Sequence, residues 1–230
     1  KPAGQDGQWT QEVPLMGVTT RPPSTLNFRK SNQSLLLKNK DDYIVTCGTG
    51  VEQAVIKDAE VVFVGYGIQA PEYGWDDYKN LDVKGKIVVV LINDPGFGSE
   101  DSTFFKGNTM TYYGRWTYKY EEAVRQGALG CLIVHNTIPA GYGFNNIQNS
   151  WKASKLYLDD RGQDKYKLGF EGWITLPFAT QLFEKMGNKG LILEQPWPDY
   201  RKDSLETDEV LVVVQVNGKL RGKFTIGADA

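Results

Sequence analysis

Two stretches decide the fold: Ala59–Gly96, which reads AEVVFVGYGIQAPEYGWDDYKNLDVKGKIVVVLINDPG, and Met110–His135, which reads MTYYGRWTYKYEEAVRQGALGCLIVH. They contain three near-continuous apolar runs, Val61–Val64, Ile87–Ile92 and Leu129–Val134. Short β-branched runs bounded by Gly or Asp are typical of strands that are buried on both faces. Between the second and third runs, Thr117–Gln126 has apolar residues at helical spacing. The pattern therefore predicts a β-rich α/β core with at least one βαβ unit.

Composition limits the class of protein. The chain has 230 residues, a formal net charge of −2 and a pI near 5.6. This charge gives no general attraction to nucleic acid or to an anionic membrane. No apolar run approaches the roughly 20 residues that span a bilayer, so we expect no membrane partner. The two cysteines, Cys47 and Cys131, lie in or beside apolar runs, which favours two buried free thiols over a disulfide.

The flanking segments predict further elements. At the amino-terminal side, Trp9–Thr19, Thr25–Arg29 and Leu35–Lys38 are strand-like and predict a β meander, with a hairpin turn over Lys30–Gln33. Pro139–Asn146 is rich in Gly and Asn and predicts a loop. Tyr166–Ile174 predicts a strand, and Thr175–Met186 a helix with an apolar stripe.

Polar and aromatic residues follow the core runs, at the end of a sheet where binding residues tend to lie. Glu72, Asp76 and Asp77 could form a metal or acid–base cluster, but carboxylates in such turns more often accept hydrogen bonds from backbone amides. Asp94, before Pro and Gly, has the same two interpretations. The Tyr112–Trp116 cluster either packs its aromatic rings over the sheet or forms a contact surface that uses Arg115 and the hydroxyls of Tyr112 and Tyr113.

Catalytic motifs are absent from the sequence. There is no HExxH, GxSxG or P-loop pattern, and the GxG at Gly65–Gly67 lacks the third glycine of a dinucleotide site. Catalytic zinc usually takes at least one histidine ligand, and the chain has a single histidine, His135. We expect His135 to be a hydrogen-bonded residue at a strand end rather than a metal ligand.

From about Gln8 to Gly187 the sequence resembles the PA (protease-associated) domain of family M28 zinc aminopeptidases. The motifs are EVPLMGVT, VFVGYGIQAPEYGWDDYKNLDVKGKIVVVLINDPGF, MTYYGRWTYKYEEAVRQGALGCLIVH and EGWITL. The resemblance implies a PA-type swivelling β/β/α fold that lies over the mouth of a peptidase domain, in a secreted or periplasmic protein. It also implies that Asp94, Tyr112, Tyr113 and Arg115 face substrate or partner.

The peptidase domain that carries zinc in that family has no counterpart in this sequence. We therefore expect no enzymatic activity, no catalytic residue and no metal or other cofactor in this chain alone. The implied partners are a peptidase catalytic domain in the parent protein and peptides.

The carboxyl-terminal segment differs in character. Val210–Val216, then Asn-Gly, then Lys219–Ile226 form a strong β-hairpin pattern, because Asn-Gly suits a two-residue type I′ turn. Period-two spacing places Lys219, Arg221 and Lys223 on one face of the return strand. Since both faces of Val210–Val216 are apolar, we expect the hairpin to dock on the domain or to add to a sheet edge, in this molecule or in a second copy.

From about Gly190 this segment, LILEQPWPDYRKDSLETDEVLVVVQVNGKLRGKFTIGADA, resembles leucyl-tRNA synthetase near the start of its C-terminal domain. That family is cytoplasmic, and in it the C-terminal domain helps to hold tRNA. The HIGH and KMSKS signatures of the synthetase are absent, so aminoacylation is not expected.

The two resemblances meet near Met186–Glu194 and indicate a chimera, whether engineered, natural or an assembly artefact. The predicted divisions are 1–189, a PA-like domain, 190–209, a linker, and 210–230, the hairpin. The principal functional prediction is a non-catalytic PA domain fused to a synthetase fragment. One alternative is a chimera that binds tRNA or other RNA through Lys219, Arg221 and Lys223, where three phosphate contacts in a net-negative chain would give weak, salt-sensitive affinity. The other is a free-standing peptide-binding module.

Overall fold

The computed structural model describes residues 4, 7–47, 53–151, 154–159, 167–185 and 187, together with the backbone of the strands at 209–216 and 219–227. The chain divides into two compact units, Lys1–Lys189 and Gly190–Ala230. Each unit is described by itself. Among the described residues, no helix combines the length and the apolar character needed to cross a membrane.

The first unit contains both strands and helices. Its strands are β1 (Leu15–Val18), β2 (Thr25–Lys30), β3 (Gln33–Lys38), β4 (Tyr43–Cys47), β5 (Val61–Phe63), β6 (Gln69–Ala70), β7 (Trp75–Asp76), β8 (Ile87–Leu91), β9 (Gly130–His135), β10 (Lys155–Leu158) and β11 (Phe170–Thr175). Its helices are α1 (Trp116–Arg125), α2 (Thr137–Ala140), α3 (Phe144–Ser150) and α4 (Leu176–Lys185). Single 3-10 turns lie at Pro71–Tyr73 and Tyr112–Gly114.

The core is a five-stranded sheet with the order β4-β11-β9-β8-β5. The strands β11, β9, β8 and β5 are parallel, and β4 is antiparallel to β11 at one edge. Every residue of β8 and β9 is buried, as their near-continuous apolar sequences predict. Between them, α1 forms the predicted crossover, so the βαβ unit and the coarse α/β class are confirmed.

Alternate residues of the strands pack on opposite faces of the sheet. Val88, Val90 and Ile133 belong to a cluster that includes Tyr120 of α1 and Ile147 of α3. On the other face, a second cluster joins residues of the sheet to α4 and to the β2–β3 hairpin: Val89, Leu91, Leu132, Phe178, Leu182 and Leu37. The period of two along each strand thus divides the core into two layers.

The amino-terminal segment departs from the predicted meander. β1 pairs with β10, far along the chain, whereas β2 and β3 pair with each other in a separate hairpin. The ladder extends to the pair Lys30–Gln33, so the turn consists of Ser31 and Asn32 instead of the predicted four residues. Ser31 has a φ of 51°, which a two-residue hairpin turn requires.

The segment predicted as a loop at Pro139–Asn146 contains the second half of α2 and the start of α3, so this prediction is wrong. Asn136 caps α2, since its side-chain oxygen accepts a hydrogen bond from the backbone N–H of Ile138 at 3.3 Å. Pro139 is tolerated in the first turn of a helix. Gly141, with a φ of 79°, ends α2 in the left-handed conformation.

Helix α4 matches the predicted helix to within a residue at its start, and its stripe residues Phe178, Leu182 and Phe183 are buried. Met186, the last predicted stripe residue, lies outside the described residues. Both cysteines are free, as predicted, although only Cys131 is fully buried and Cys47 is half-buried.

In the second unit, β12 (Glu209–Val216) and β13 (Lys219–Gly227) form an antiparallel hairpin, which confirms the predicted pairing. The turn residues 217–218 and the predicted linker up to residue 208 lie outside the described residues. The register shifts between Val214 and Gln215, so Arg221 is an extra residue opposite that step. Because a bulge interrupts alternation, strict period-two spacing does not run unbroken from Lys219 to Lys223.

Candidate functional site

The site predicted from the sequence lies at the carboxyl ends of the parallel strands. The chain leaves β8 through Asn93 and Asp94 and leaves β9 at His135. The segment Thr111–Arg115, just before α1, returns to the same edge, because the backbone N–H of Asn93 donates to the carbonyl of Gly114 at 3.1 Å. The topology therefore brings Asp94 together with the Tyr112–Arg115 group, as the order of the strands requires.

Asp94 is fully buried, and both of its carboxylate oxygens accept hydrogen bonds. One accepts from the backbone N–H of Gly96 at 3.1 Å, and the other from the backbone N–H and the hydroxyl of Thr111 at 2.9 and 2.7 Å. These bonds tie the turn after β8 to the segment before α1. Asp94 therefore fixes the positions of Gly96 and Thr111 beside the neighbouring surface. Its predicted contact with a partner stays a prediction.

Asn93 organises the same turn from a left-handed conformation, with a φ of 71°. Its side-chain oxygen accepts from the backbone N–H of Asp94 at 2.8 Å, and its side-chain amide donates to the carbonyl of Pro139 at 2.8 Å. Gly114 packs against this turn so closely that an added Cβ would lie 3.0 Å from a side-chain oxygen of each of Asn93 and Asp94. The turn therefore requires glycine at position 114.

A lysine is enclosed beneath this turn. Lys119 has an exposed fraction of 0%, and its amine donates to the backbone carbonyl of Asn93 at 2.8 Å. Burial lowers the pKa of Lys119 to about 7, although the charges of Asp77 and Asp94 act in the opposite direction. An amine with such a pKa suits proton transfer, but this one is closed off from solvent on all sides.

Two polar residues of α1 contradict the sequence interpretation of that helix. Helical spacing predicts that Lys119 and Glu122 point away from the apolar face, yet both are buried. Glu122 accepts from Arg125 at 2.7 Å and from the side chain of Gln126 at 2.7 Å. The reason is that loops from elsewhere in the chain cover a second side of α1, which helical periodicity alone does not reveal.

The carboxylates after β5 serve mainly as hydrogen-bond acceptors. Asp77 accepts from the backbone N–H of Ile68 at 3.0 Å, and Asp76 from that of Tyr78 at 2.9 Å. Burial raises the pKa of Asp77 to about 6. Glu72 accepts from the hydroxyl of Tyr113 at 2.6 Å. Within the described residues, no group of three or more His, Cys, Asp or Glu side chains could hold a metal ion.

Aromatic rings pack tightly against one another near the carboxyl ends of the parallel strands. Tyr73 stacks on Phe105 with ring centroids 4.1 Å apart, and Tyr113 meets Phe105 and Tyr118 edge to face at 6.0 and 5.0 Å. Phe105 is fully buried in this cluster. Tyr113 is therefore a packed ring with a hydrogen-bonded hydroxyl, and the hydrogen bond to Glu72 raises the pKa of that hydroxyl to about 12.

Tyr112 and Arg115 lie at the surface. Tyr112 is 54% exposed, and its hydroxyl donates to Glu121 at 2.6 Å. Arg115 is exposed and forms no ion pair with any other described residue. Of the four predicted contact residues, these two are accessible, Tyr113 is half-buried and Asp94 is closed off. Their role as contacts stays a prediction.

His135 is a hydrogen-bonded residue at a strand end, as the sequence indicates. It is 4% exposed, and Nε2 lies 3.0 Å from the carbonyl oxygen of Tyr142. Burial lowers its pKa, and the hydrogen bond opposes that shift. Rings of Tyr142, Phe144 and Trp173 surround it at centroid distances of 5.5–6.0 Å.

The predicted RNA-contact residues lie in the second unit. Lys219 pairs with Val216 and Lys223 with Val213 across the β12–β13 ladder, and Arg221 occupies the step where the register shifts. The hairpin thus carries three basic residues within five positions of one strand.

Comparison with known proteins identifies relatives that match a segment of the chain. No family model matches the chain. A leucine–tRNA ligase of Desulforapulum autotrophicum is 57% identical over 51 residues, which are 22% of this chain and 6% of that protein. Leucine–tRNA ligases of Fervidobacterium nodosum and Nitratidesulfovibrio vulgaris are 49% and 46% identical over 61 and 59 residues, which are 25% of this chain and 7% of each relative. The match covers a segment, not the chain.

These findings confirm the resemblance to leucyl-tRNA synthetase over that segment and contradict the principal functional prediction. The relatives named are leucine–tRNA ligases, and nothing among the findings points to the PA domain of an M28 aminopeptidase. The motifs behind that prediction coincide with buried strands and turns, such as Ile87–Leu91 and Gly130–His135. Burial on both faces selects such sequences in many families, so they do not specify one.

Proposed function

We propose that the chain contacts tRNA weakly through its C-terminal hairpin and that it does so without catalysis. The observation that carries the proposal is the identity of 42–57% with segments of proteins named leucine–tRNA ligase. Because VVVQVNGKLRGK is the part of the sequence that resembles this family, we assign the matched segment to the C-terminal region. The chain spans 6–7% of the length of these relatives, so the activity of the whole ligase is not transferred.

The chemistry of such a contact is phosphate neutralisation. Lys219, Arg221 and Lys223 supply three positive charges that can each release a counterion from RNA. Three contacts in a chain of net charge −2 give weak binding. For about three phosphates, a rise from 50 to 200 mM salt weakens affinity by roughly 20- to 40-fold.

The absence of catalysis is part of the same proposal. It is supported by the lack of HIGH and KMSKS sequences and by the single histidine of the chain. No cofactor is required, since phosphate contacts need only fixed charges. The partner predictions (a peptidase catalytic domain, peptides, or a second copy paired through the hairpin) stay predictions, as do the localisation and the PA-type class of the fold, and this proposal uses none of them.

The test is binding of tRNA to the full chain, measured by filter retention at 50 and 200 mM salt. The variant K219Q/R221Q/K223Q should lose most of the binding at low salt. The control K38Q/K79Q/K84Q removes three exposed lysines of the first unit and produces the same net charge. Equal loss in both variants would show that binding follows net charge rather than the hairpin, and no binding at 50 mM would refute the proposal.

A further inference from the structure

A groove of about 930 Å³ lies in the first unit, on the sheet face that carries α4 and the β2–β3 hairpin. It is lined by the first residues of three parallel strands, Val61, Ile87 and Phe170, and by Val45 near the end of the antiparallel β4. The groove therefore lies at the amino ends of the parallel strands, at the opposite end from the Asn93–Asp94 turn.

The described residues leave the apolar floor of the groove incompletely covered. Leu132 and Ile87 are buried, but Val45, Val61 and Phe170 are only partly buried, although they pack against the core cluster of this face. Further apolar residues line the groove around this floor: Leu26, Phe28, Leu35, Ile56 and Leu182. The hydroxyls of Thr20 and Thr46, which also line the groove, bond to each other. An occupant therefore meets mainly apolar surface.

The rim of the groove carries more positive than negative charge. Of the described lining residues, the two carboxylates are already paired, Asp58 with Arg29 and Glu60 with Lys86. Arg21, Lys57 and Lys185 also line it and form no ion pair with a described residue. The groove thus combines an apolar floor with an excess of cationic groups.

We propose that this groove binds an amphipathic anion, namely a long-chain carboxylate whose alkyl chain covers the floor and whose head group meets the basic rim. The volume lies within the range of about 300–1,000 Å³ that holds small organic ligands. An alkyl chain has no polar atoms that need partners, whereas a peptide would bring backbone groups to a floor that offers few. The proposal concerns the first unit and is independent of the tRNA contact.

The test is calorimetric titration of the full chain with octanoate, decanoate and dodecanoate below their micelle concentrations. We expect one site, and an affinity that rises by up to roughly fourfold for each added methylene that is buried. Dodecanol and dodecyltrimethylammonium have the same alkyl chain as dodecanoate but lack its carboxylate, so they should bind more weakly. Equal affinity for dodecanoate and dodecyltrimethylammonium, or several weak equivalent sites, would overturn the proposal.

Two variants locate the site. Lys57→Gln with Lys185→Gln should weaken dodecanoate about fivefold and leave dodecanol unchanged, because only the head group is affected. Lys79→Gln with Lys84→Gln, exposed lysines outside the groove, is the matched control and should have no effect. Ala54→Trp, on a wall of the groove, should block both ligands while circular dichroism shows the fold intact. Unchanged dodecanoate affinity in both the Lys57/Lys185 and Ala54 variants would refute the assignment.

Discussion

At the carboxyl ends of the parallel strands, the Asp94 carboxylate accepts three hydrogen bonds and the Lys119 amine is enclosed against the Asn93 carbonyl. At the amino ends, apolar side chains such as Val61 and Phe170 stay partly exposed in an open groove. Ligands of parallel sheets commonly bind at the carboxyl ends. In this chain the buried polar groups of the turn at that end satisfy one another, with Tyr112 and Arg115 exposed beside them, and an open apolar groove lies at the other end.

The largest expected effect is in the buried turn at the carboxyl ends. Asp94→Asn replaces one acceptor oxygen by an N–H group that cannot accept from Thr111, so buried donors lose their partner. We expect the free energy of unfolding to fall by about 2–4 kcal/mol, measured by urea denaturation.

Asp101→Asn is the matched control for this change. Asp101 also accepts from the backbone N–H and the hydroxyl of one threonine, Thr103, but it is exposed. We expect its substitution to change stability little. Equal losses at positions 94 and 101 would show that burial does not distinguish the turn at the carboxyl ends.

The buried amine gives the next largest effect, and it depends on pH. Because the folded pKa of Lys119 is about 7 and its ordinary value is 10.5, the unfolded chain binds more protons than the folded chain between these values. Stability contributed by this group therefore rises with pH in that window. From pH 7 to 9 we expect the wild type to gain roughly 2 kcal/mol relative to Lys119→Met.

Urea denaturation of both proteins across this pH range measures the difference. Asp77, whose folded pKa is raised to about 6, contributes stability at lower pH that is lost as pH rises from about 4 through 6. Because the charge of Lys119 lowers the pKa of Asp77, this contribution differs between the two proteins, and the comparison is therefore made from pH 7 to 9, above the folded pKa of Asp77 in the wild type. Parallel stability curves from pH 7 to 9 would show that the Lys119 amine is charged and satisfied in the folded state.

The smallest effect is expected at the groove. Lys57 and Lys185 form no ion pair with a described residue, so Lys57→Gln with Lys185→Gln should leave the midpoint of urea denaturation nearly unchanged. A clear loss of stability would mean that the rim charges hold the fold together, and the contrast between the two ends would then be weaker.

The sequence predicts the core well because local pattern and burial agree there. The runs in β8 and β9 are apolar throughout, and α1 has a clear apolar face, so strands, crossover and parallel order follow. The hairpin of the second unit could be predicted for the same reason, because the Asn-Gly pattern that specifies its pairing is short and local.

Features that depend on distant segments could not be predicted in this way. The burial of Lys119 depends on loops from elsewhere in the chain, and β1 pairs with a strand far along the chain. The capping by Asn136 that starts α2 was present in the sequence, yet the Gly- and Asn-rich composition obscured it. The described residues that line the groove come from seven separated segments, and no single pattern indicates it.

The most direct test of the contrast between the two ends is the response of backbone amide resonances of the isotope-labelled full chain to dodecanoate. We predict shifts at residues that line the groove, such as Val45, Ile56 and Phe170, and none at Asn93, Thr111 or Tyr113. Shifts centred on Asn93 and Tyr113, with the groove resonances unchanged, would contradict the account.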